Sequence, residues 1–110
     1  MEYASGNIFI REMRFPKAGA VVHGHAHNFD HTTYVARGSV RVERLAPDGT
    51  VERIVVKRAG DGFNWLLIQA GVIHRLTALE DESMAHCIYS HRTPQGDVVV
   101  EHDGWSEAYV

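Results

Sequence analysis

Hydrophobic and polar residues alternate along this chain in short runs, and no stretch keeps the spacing of an amphipathic helix. The runs are rich in β-branched and aromatic residues, and turn residues separate them at intervals of about ten residues. The pattern predicts strands over 7–15, 20–25, 29–37, 39–45, 51–57, 63–68, 72–79, 84–90 and 98–101. Short strands at this spacing indicate an all-β fold, an antiparallel sandwich or barrel.

Turn residues mark the ends of the predicted strands. Pro47-Asp48-Gly49-Thr50 gives the clearest hairpin signal, because proline presets its φ and Asp-Gly tolerates positive φ. Pro16 and Gly38 each end a predicted strand. No internal repeat or linker divides the chain, so we expect a single domain over 1–110. The tail over 103–110 fits a short helix or an extended arm, and both alternatives stay open.

Composition limits the class of protein. Hydrophobic residues make up 45% of the 110 residues, which suffices for one core. The net charge is −3 and the basic residues form no run, so neither nucleic acid nor an anionic membrane is expected as a partner. Cys87 is the only cysteine, which excludes an intrachain disulfide. Because 1–6 lack a signal-peptide profile and no apolar run reaches about 20 residues, we expect a cytoplasmic protein.

Histidine is the compositional exception. Four of the eight histidines fall within nine positions, namely His23, His25, His27 and His31. Side chains alternate along a strand, so His25 and His27 point the same way if the strand reaches them both. Two such imidazoles can chelate one ion, and a third, four residues later across a turn, can complete the site. Neutral imidazole binds late first-row divalent metals well.

The segment around these histidines resembles the first motif of the cupin family. From His25 to Gly38 it reads His-x-His, three residues, His, six residues, Gly. The second cupin motif is Gly, a spacer, then Pro-x-Gly-x-x-His. Its counterpart here is Gly62, six residues, then Gln69-Ala70-Gly71-Val72-Ile73-His74. The resemblance covers about residues 20–90, with 39–61 as the inter-motif segment.

This resemblance implies a small antiparallel jelly-roll barrel that holds one divalent transition metal: iron, manganese, nickel, copper or zinc. The implied ligands are His25, His27, His31 and His74. The chain departs from the usual cupin pattern because His31 replaces a glutamate, Gln69 a proline and Ala78 an asparagine. Four neutral imidazoles leave the charge of a divalent ion uncompensated, so we expect a Lewis-acidic ion that attracts anions.

Two positions carry alternatives that bear on the chemistry. His23 suits the surface, a hydrogen bond to a metal-bound imidazole or, if the register slips, a ligand position, although the spacing to Gly38 favours His25 and His27 as ligands. The turn before the strand over 84–90 decides whether His86 or Cys87 faces the cavity, since two- and three-residue loops give opposite parity. An inward His86 would be the candidate catalytic acid or base. An inward Cys87 would be a small core residue, with His86 outside.

Other side chains are assigned structural positions. Phe63 and Trp65 are expected in the core or at a dimer interface, and Arg75 on a solvated strand face. His91 and His102 are expected at the surface.

Together these features predict a metal-dependent enzyme acting on a small organic molecule that is anionic or enolisable. The first hypothesis is an oxygenase or dioxygenase, since four ligands on a six-coordinate ion leave two positions for substrate and oxygen. We expect its pocket to be lined by Val35, Val40, Val42 and Leu76. The alternatives are an isomerase or lyase with His86 as acid and base, and a non-catalytic module that binds or senses a small molecule. Resemblance to cupins also implies a homodimer.

Overall fold

The computed structural model describes residues 2–5, 7–27, 29–90 and 95, with the backbone alone for 2–5, 24 and 25. Its strands are β1 (Glu2–Ser5), β2 (Ile8–Phe15), β3 (Val21–His25), β4 (His31–Arg37), β5 (Ser39–Leu45), β6 (Val51–Arg58), β7 (Trp65–Ile68), β8 (Ile73–Ala78) and β9 (Ser83–Ser90). Within these residues, no helix is long and apolar enough to span a membrane.

The strands form two antiparallel sheets. One has five strands in the order β1-β2-β9-β4-β7, and the other has four in the order β3-β8-β5-β6. The predicted all-β fold is therefore confirmed, and β5 has the predicted bounds. β1, which pairs with β2, was not predicted, because a strand of four residues is too short to show a period. The predictions for 98–101 and 103–110 lie outside the described residues.

The hydrophobic core lies between the inner faces of the two sheets. Along β9, buried residues alternate strictly with partly buried or exposed ones, as expected for a strand with one face on a core. The four residues expected to line a pocket, Val35, Val40, Val42 and Leu76, are at most 6% exposed and pack within this core. They stabilise the fold by apolar burial, at about 1.5–3 kcal/mol for each large side chain.

Two large aromatic residues lie outside the core. Phe63 and Trp65 are 57% and 43% exposed, with ring centroids 4.6 Å apart. The Lys57 ammonium lies 4.3 Å from the centre of the Phe63 ring. The core alternative is therefore wrong for both aromatic residues, and the dimer-interface alternative stays a prediction.

A charged pair on the outer face of the four-stranded sheet fixes the register of β5 against β8. Glu43 and Arg75 are directly opposite, and two hydrogen bonds of 3.0 Å run from the guanidinium to the carboxylate. Arg41 adds a 3.6 Å ion pair to the same carboxylate, whose side chain is 6% exposed. Hydrogen bonding from Arg75 lowers the pKa of Glu43 below its usual 4.5. Arg75 lies on the outer face, as expected, with its side chain 34% exposed and ion-paired to Glu43.

We expect Glu43→Gln to destabilise the fold at neutral pH and to lose that effect in acid. The folded pKa of Glu43 is lowered, so its charge contributes fully above 4.5 and ceases to contribute as pH falls through the folded pKa. Urea unfolding of both proteins across this range measures the difference in unfolding free energy. A difference that stays constant well below 4.5 would contradict the assignment.

Gly38 allows β4 to turn directly into β5. Its φ is +70°, a region that side chains disfavour, and a Cβ there would lie 3.0 Å from the Cα of Ser83. The Ser83 hydroxyl in turn accepts a hydrogen bond of 3.3 Å from the Ser39 amide. The β4–β5 turn is therefore packed against the start of β9, with no room for a side chain.

Gly38→Ala should destabilise the protein more than Gly49→Ala. Both glycines have positive φ, but nothing lies within 4 Å of a Cβ placed at Gly49. Left-handed strain costs about 1–2 kcal/mol at either position, and the clash with Ser83 adds about 1–3 kcal/mol at Gly38 alone. Chemical denaturation of the two variants measures this, and equal losses would show that the clash is relieved.

Candidate metal centre

Three histidines, carried by one loop and two strands, meet at one end of the barrel. His27 lies in the loop after β3, His31 begins β4, and His74 lies in β8. One ring nitrogen from each lies within 4.8 Å of the others. His31 and His74 are buried, at 3% and 2% exposed, and His27 is half-buried.

The geometry of these histidines fits a metal ion. Imidazole nitrogens bind a transition metal at about 2.1 Å, so two ligands of one ion lie at most about 4.2 Å apart. The longest separation here, 4.8 Å, needs to shrink by only about half an ångström. The His74 Nδ1–H donates a 3.0 Å hydrogen bond to the Val72 carbonyl, which only accepts. Nε2 of His74 is therefore the unprotonated nitrogen available to a metal.

Two hydrogen bonds join the loop that carries His27 to the turn that precedes His74. The Gly71 amide donates to the His27 carbonyl at 2.8 Å, and the Ala70 amide donates to the Asp30 carboxylate at 2.8 Å. Gly71 has φ +81°, which a side chain at this turn would disfavour. These bonds bring the two sequence motifs, which are distant in the chain, to the same site.

Aromatic stacking orients His27. Its ring lies parallel to the Phe29 ring, with centroids 4.9 Å apart and planes 16° from parallel. Phe29 stacks in turn on Tyr89 at 4.2 Å, and both are buried. The His27 imidazole therefore rests against a fixed apolar surface, although its backbone lies in a loop.

The fourth predicted ligand is placed by its backbone. His25 ends β3, and its Cα partner in the neighbouring strand is His74. Its side chain lies outside the described part of the structure, so the four-histidine set stays a prediction. His23 lies on the exposed surface of β3. His91 and His102 fall outside the described residues.

The candidate catalytic residue His86 lies on the far side of the five-stranded sheet. Cys87, not His86, faces the core, where its thiol lies 3.9 Å from the Thr33 hydroxyl and burial raises its pKa to about 11. The His86 Nε2 instead lies 3.4 Å from a Glu12 carboxylate oxygen on the outer face. The acid/base role required an inward His86, so this assignment loses its geometric basis. The four-residue turn over 79–82 sets this parity.

A cavity of about 200 Å³ opens beside His74. Its polar lining includes Arg44, Arg53 and Gln69, and Val55, Leu66 and Val72 are among its apolar residues. None of the described residues that line this cavity carries a carboxylate. The two arginines were not predicted as site residues, although the alternation from Val40 through Val42 places Arg44 on the inner face.

No protein-family model matches this chain, and a search of curated proteins also gives no match. Solved structures do match. Bacillus subtilis oxalate decarboxylase, studied for its Mn(II) centres, aligns with 91% of this chain at a TM-score of 0.64 and 24% identity. A mutant of the same enzyme aligns with 76% of this chain at 0.61 and 27% identity. A cupin-2 domain protein from Shewanella frigidimarina aligns with 80% at 0.60 and 17% identity.

The lengths of these proteins differ from that of this chain. The chain spans 23% and 21% of the two oxalate decarboxylase chains but 74% of the cupin-2 domain protein. Both similarities concern the fold, which in this chain consists of two antiparallel sheets and carries three histidines able to hold a metal ion. The chain has the cupin fold.

Proposed function

We propose that this chain is a metal-dependent oxygenase that acts on a small organic anion. In this proposal one divalent transition metal is held by His25, His27, His31 and His74. The observation that carries the proposal is the convergence of three of these histidines, of which His74 lines a cavity of about 200 Å³.

The donor set favours an anionic substrate. Imidazole is neutral when it binds a metal, so an all-histidine site leaves the charge of the ion uncompensated. A bound metal would supply a Lewis acid with positions open to substrate and dioxygen. The histidines themselves hold the ligand geometry, because the Val72 carbonyl fixes the tautomer of His74 and Phe29 fixes the ring of His27.

The cavity favours oxygen chemistry over chemistry driven by a protein acid or base. Its described lining has arginines, a glutamine and apolar side chains but no carboxylate, and His86 lies on the opposite face of a sheet. An isomerase or lyase that moves protons needs a group positioned at the substrate. Val55, Leu66 and Val72 give the space in which substrate and oxygen would meet a partly apolar wall.

An oxygen-independent lyase is the second candidate. The similarity to oxalate decarboxylase, an enzyme with Mn(II) centres, favours it. In this chain the proton for such a reaction would have to come from water or from outside the described cavity lining. A third candidate, a binding or sensing module, needs the same pocket without turnover.

We expect the purified protein to hold about one equivalent of a divalent transition metal, and His31→Ala and His74→Ala to lose it. Each substitution removes a ligand nitrogen from a site whose side chains are buried. His86→Ala is the matched control and should keep the metal, because His86 lies on the outer face.

Elemental analysis measures the metal, and circular dichroism checks that the variants fold. His74→Gln provides a second, better-filled variant if the alanine variant unfolds. Retention of wild-type metal content by a folded His74 variant would contradict the site.

The iron(II)-loaded protein should consume oxygen with a carboxylate, diketone or phenolic substrate, and a folded His74 variant should not. An oxygen electrode measures uptake while product analysis measures carbon dioxide. Carbon dioxide release without oxygen uptake, in protein loaded with Mn(II), would replace the oxygenase by the lyase. Binding of these compounds with neither activity would favour the binding module.

A further inference from the structure

The two arginines of the cavity lie in one row with a histidine of the metal centre. His74 in β8 is the Cα partner of Arg44 in β5, and Arg44 is the partner of Arg53 in β6. Residues directly opposite in neighbouring strands project from the same face. All three line the cavity, so the row crosses the sheet from the metal centre to the edge strand.

Two like charges lie directly opposite in this arrangement, Arg44 on β5 and Arg53 on β6. Like charges directly opposite on paired strands destabilise a sheet. Arg44 forms an ion pair with Glu52, in which Nε lies 3.6 Å from a carboxylate oxygen. The two side chains are 55% and 49% exposed. An exposed pair of this kind contributes little. The cavity side of the sheet therefore has a surplus of positive charge.

The outer face of the same strands shows how the fold neutralises arginines that have a structural role. There Arg41 and Arg75 share Glu43, whose side chain is 6% exposed and accepts two 3.0 Å hydrogen bonds. No described residue provides Arg44 and Arg53 with such a buried carboxylate. The contrast indicates that the inner pair is kept for an anion that comes from outside the chain.

A β-bulge contributes to the placement of the pair. The register of β5 against β6 shifts after Arg44, where Leu45 pairs with Val51 and Glu52 is passed over. A bulge turns side chains out of the regular alternation. It places Glu52 beside Arg44 while Arg53 still lines the cavity.

We infer that Arg44 and Arg53 form a subsite for the far oxyanion of a short, two-ended substrate whose near end lies at the metal centre. This rests on the proposed function for the role of the metal centre. Arginine presents a planar fork of donors that matches a carboxylate or a phosphate. The shared chemistry of the far group is therefore that of a carboxylate or phosphate.

The dimensions set the length of this substrate. Neighbouring strands lie about 4.8 Å apart, so the backbones of His74 and Arg53 are about 10 Å apart across β5. The cavity volume of about 200 Å³ equals that of about seven waters at ~30 Å³ each. A dicarboxylate or phosphorylated acid with about eight heavy atoms fits this space. Val55, Leu66 and Val72 also line the cavity and favour an apolar spacer.

Calorimetric titration of three probes tests the subsite. Succinate has two carboxylates, 2-phosphoglycolate has a carboxylate and a phosphate, and propionate has one carboxylate. The proteins are the wild type, Arg44→Gln, Arg53→Gln and the control Arg58→Gln, each metal-free and loaded with Mn(II). Arg58 is exposed on β6 opposite Ser39 and does not line the described cavity.

Arg44→Gln and Arg53→Gln should each weaken binding of the tighter two-ended probe about tenfold, which corresponds to about 1.4 kcal/mol. They should leave propionate binding to the loaded protein and the metal content unchanged, and Arg58→Gln should behave as the wild type. The same loss in metal-free protein would assign the effect to the arginines themselves. Tighter binding of succinate or of 2-phosphoglycolate identifies the far group as carboxylate or phosphate.

Two results would overturn the subsite: equal affinities in all four proteins, or no binding of a two-ended probe to the wild type at millimolar concentration. The outcome is separable from that of the proposed function. If metal and oxygen uptake are found but the arginine variants bind as the wild type does, the subsite fails alone. If no metal loads but arginine-dependent binding persists, the subsite stands and the oxygenase fails.

Discussion

The site depends above all on the backbone pairing of β8 with its two neighbours in the four-stranded sheet. Pairing with β3 sets His25 opposite His74, and pairing with β5 sets Arg44 opposite the same histidine. Because a shift of one residue would turn every side chain to the other face, this register decides whether the cavity has its histidine at all. The Glu43–Arg75 pair, one step along the same strands, holds that register from the outer side.

A second constraint acts where regular pairing ends. Val22 pairs with Leu76 and His25 with His74, with an irregularity between them, so the end of β3 leaves the sheet pattern just before the loop of His27. The hydrogen bonds of Gly71 and Ala70 to this loop replace strand pairing as the restraint on its position. His27 is therefore positioned at the metal site by loop hydrogen bonds, although β3 ends before it at His25.

Much of this arrangement could be predicted from the sequence, where local spacing was sufficient. The separation of His27 and His31, together with the glycine turn before His74, predicted a common site, and the structure brings these three together. The orientation of His86 could not be predicted, because it depends on a turn in which Glu82 adopts φ +59°. Arg53 was also missed: it alternates regularly with Val55 in β6, but the mostly exposed residues of this strand do not show which of its faces lines the cavity. The face on which such side chains lie depends on non-local strand pairing, which cannot be read from the local sequence pattern.

The β5–β6 hairpin has a consequence for how this protein could change over evolution. It carries both arginines of the cavity and none of the histidines, and an exposed turn over 46–50 connects its strands. Residues on its inner edge can therefore be exchanged without altering the ring nitrogens at the metal centre. The residues that would hold a metal ion and the residues that would select the ligand therefore lie in different segments of the chain. New ligand preferences could arise in the hairpin while the metal centre stays intact.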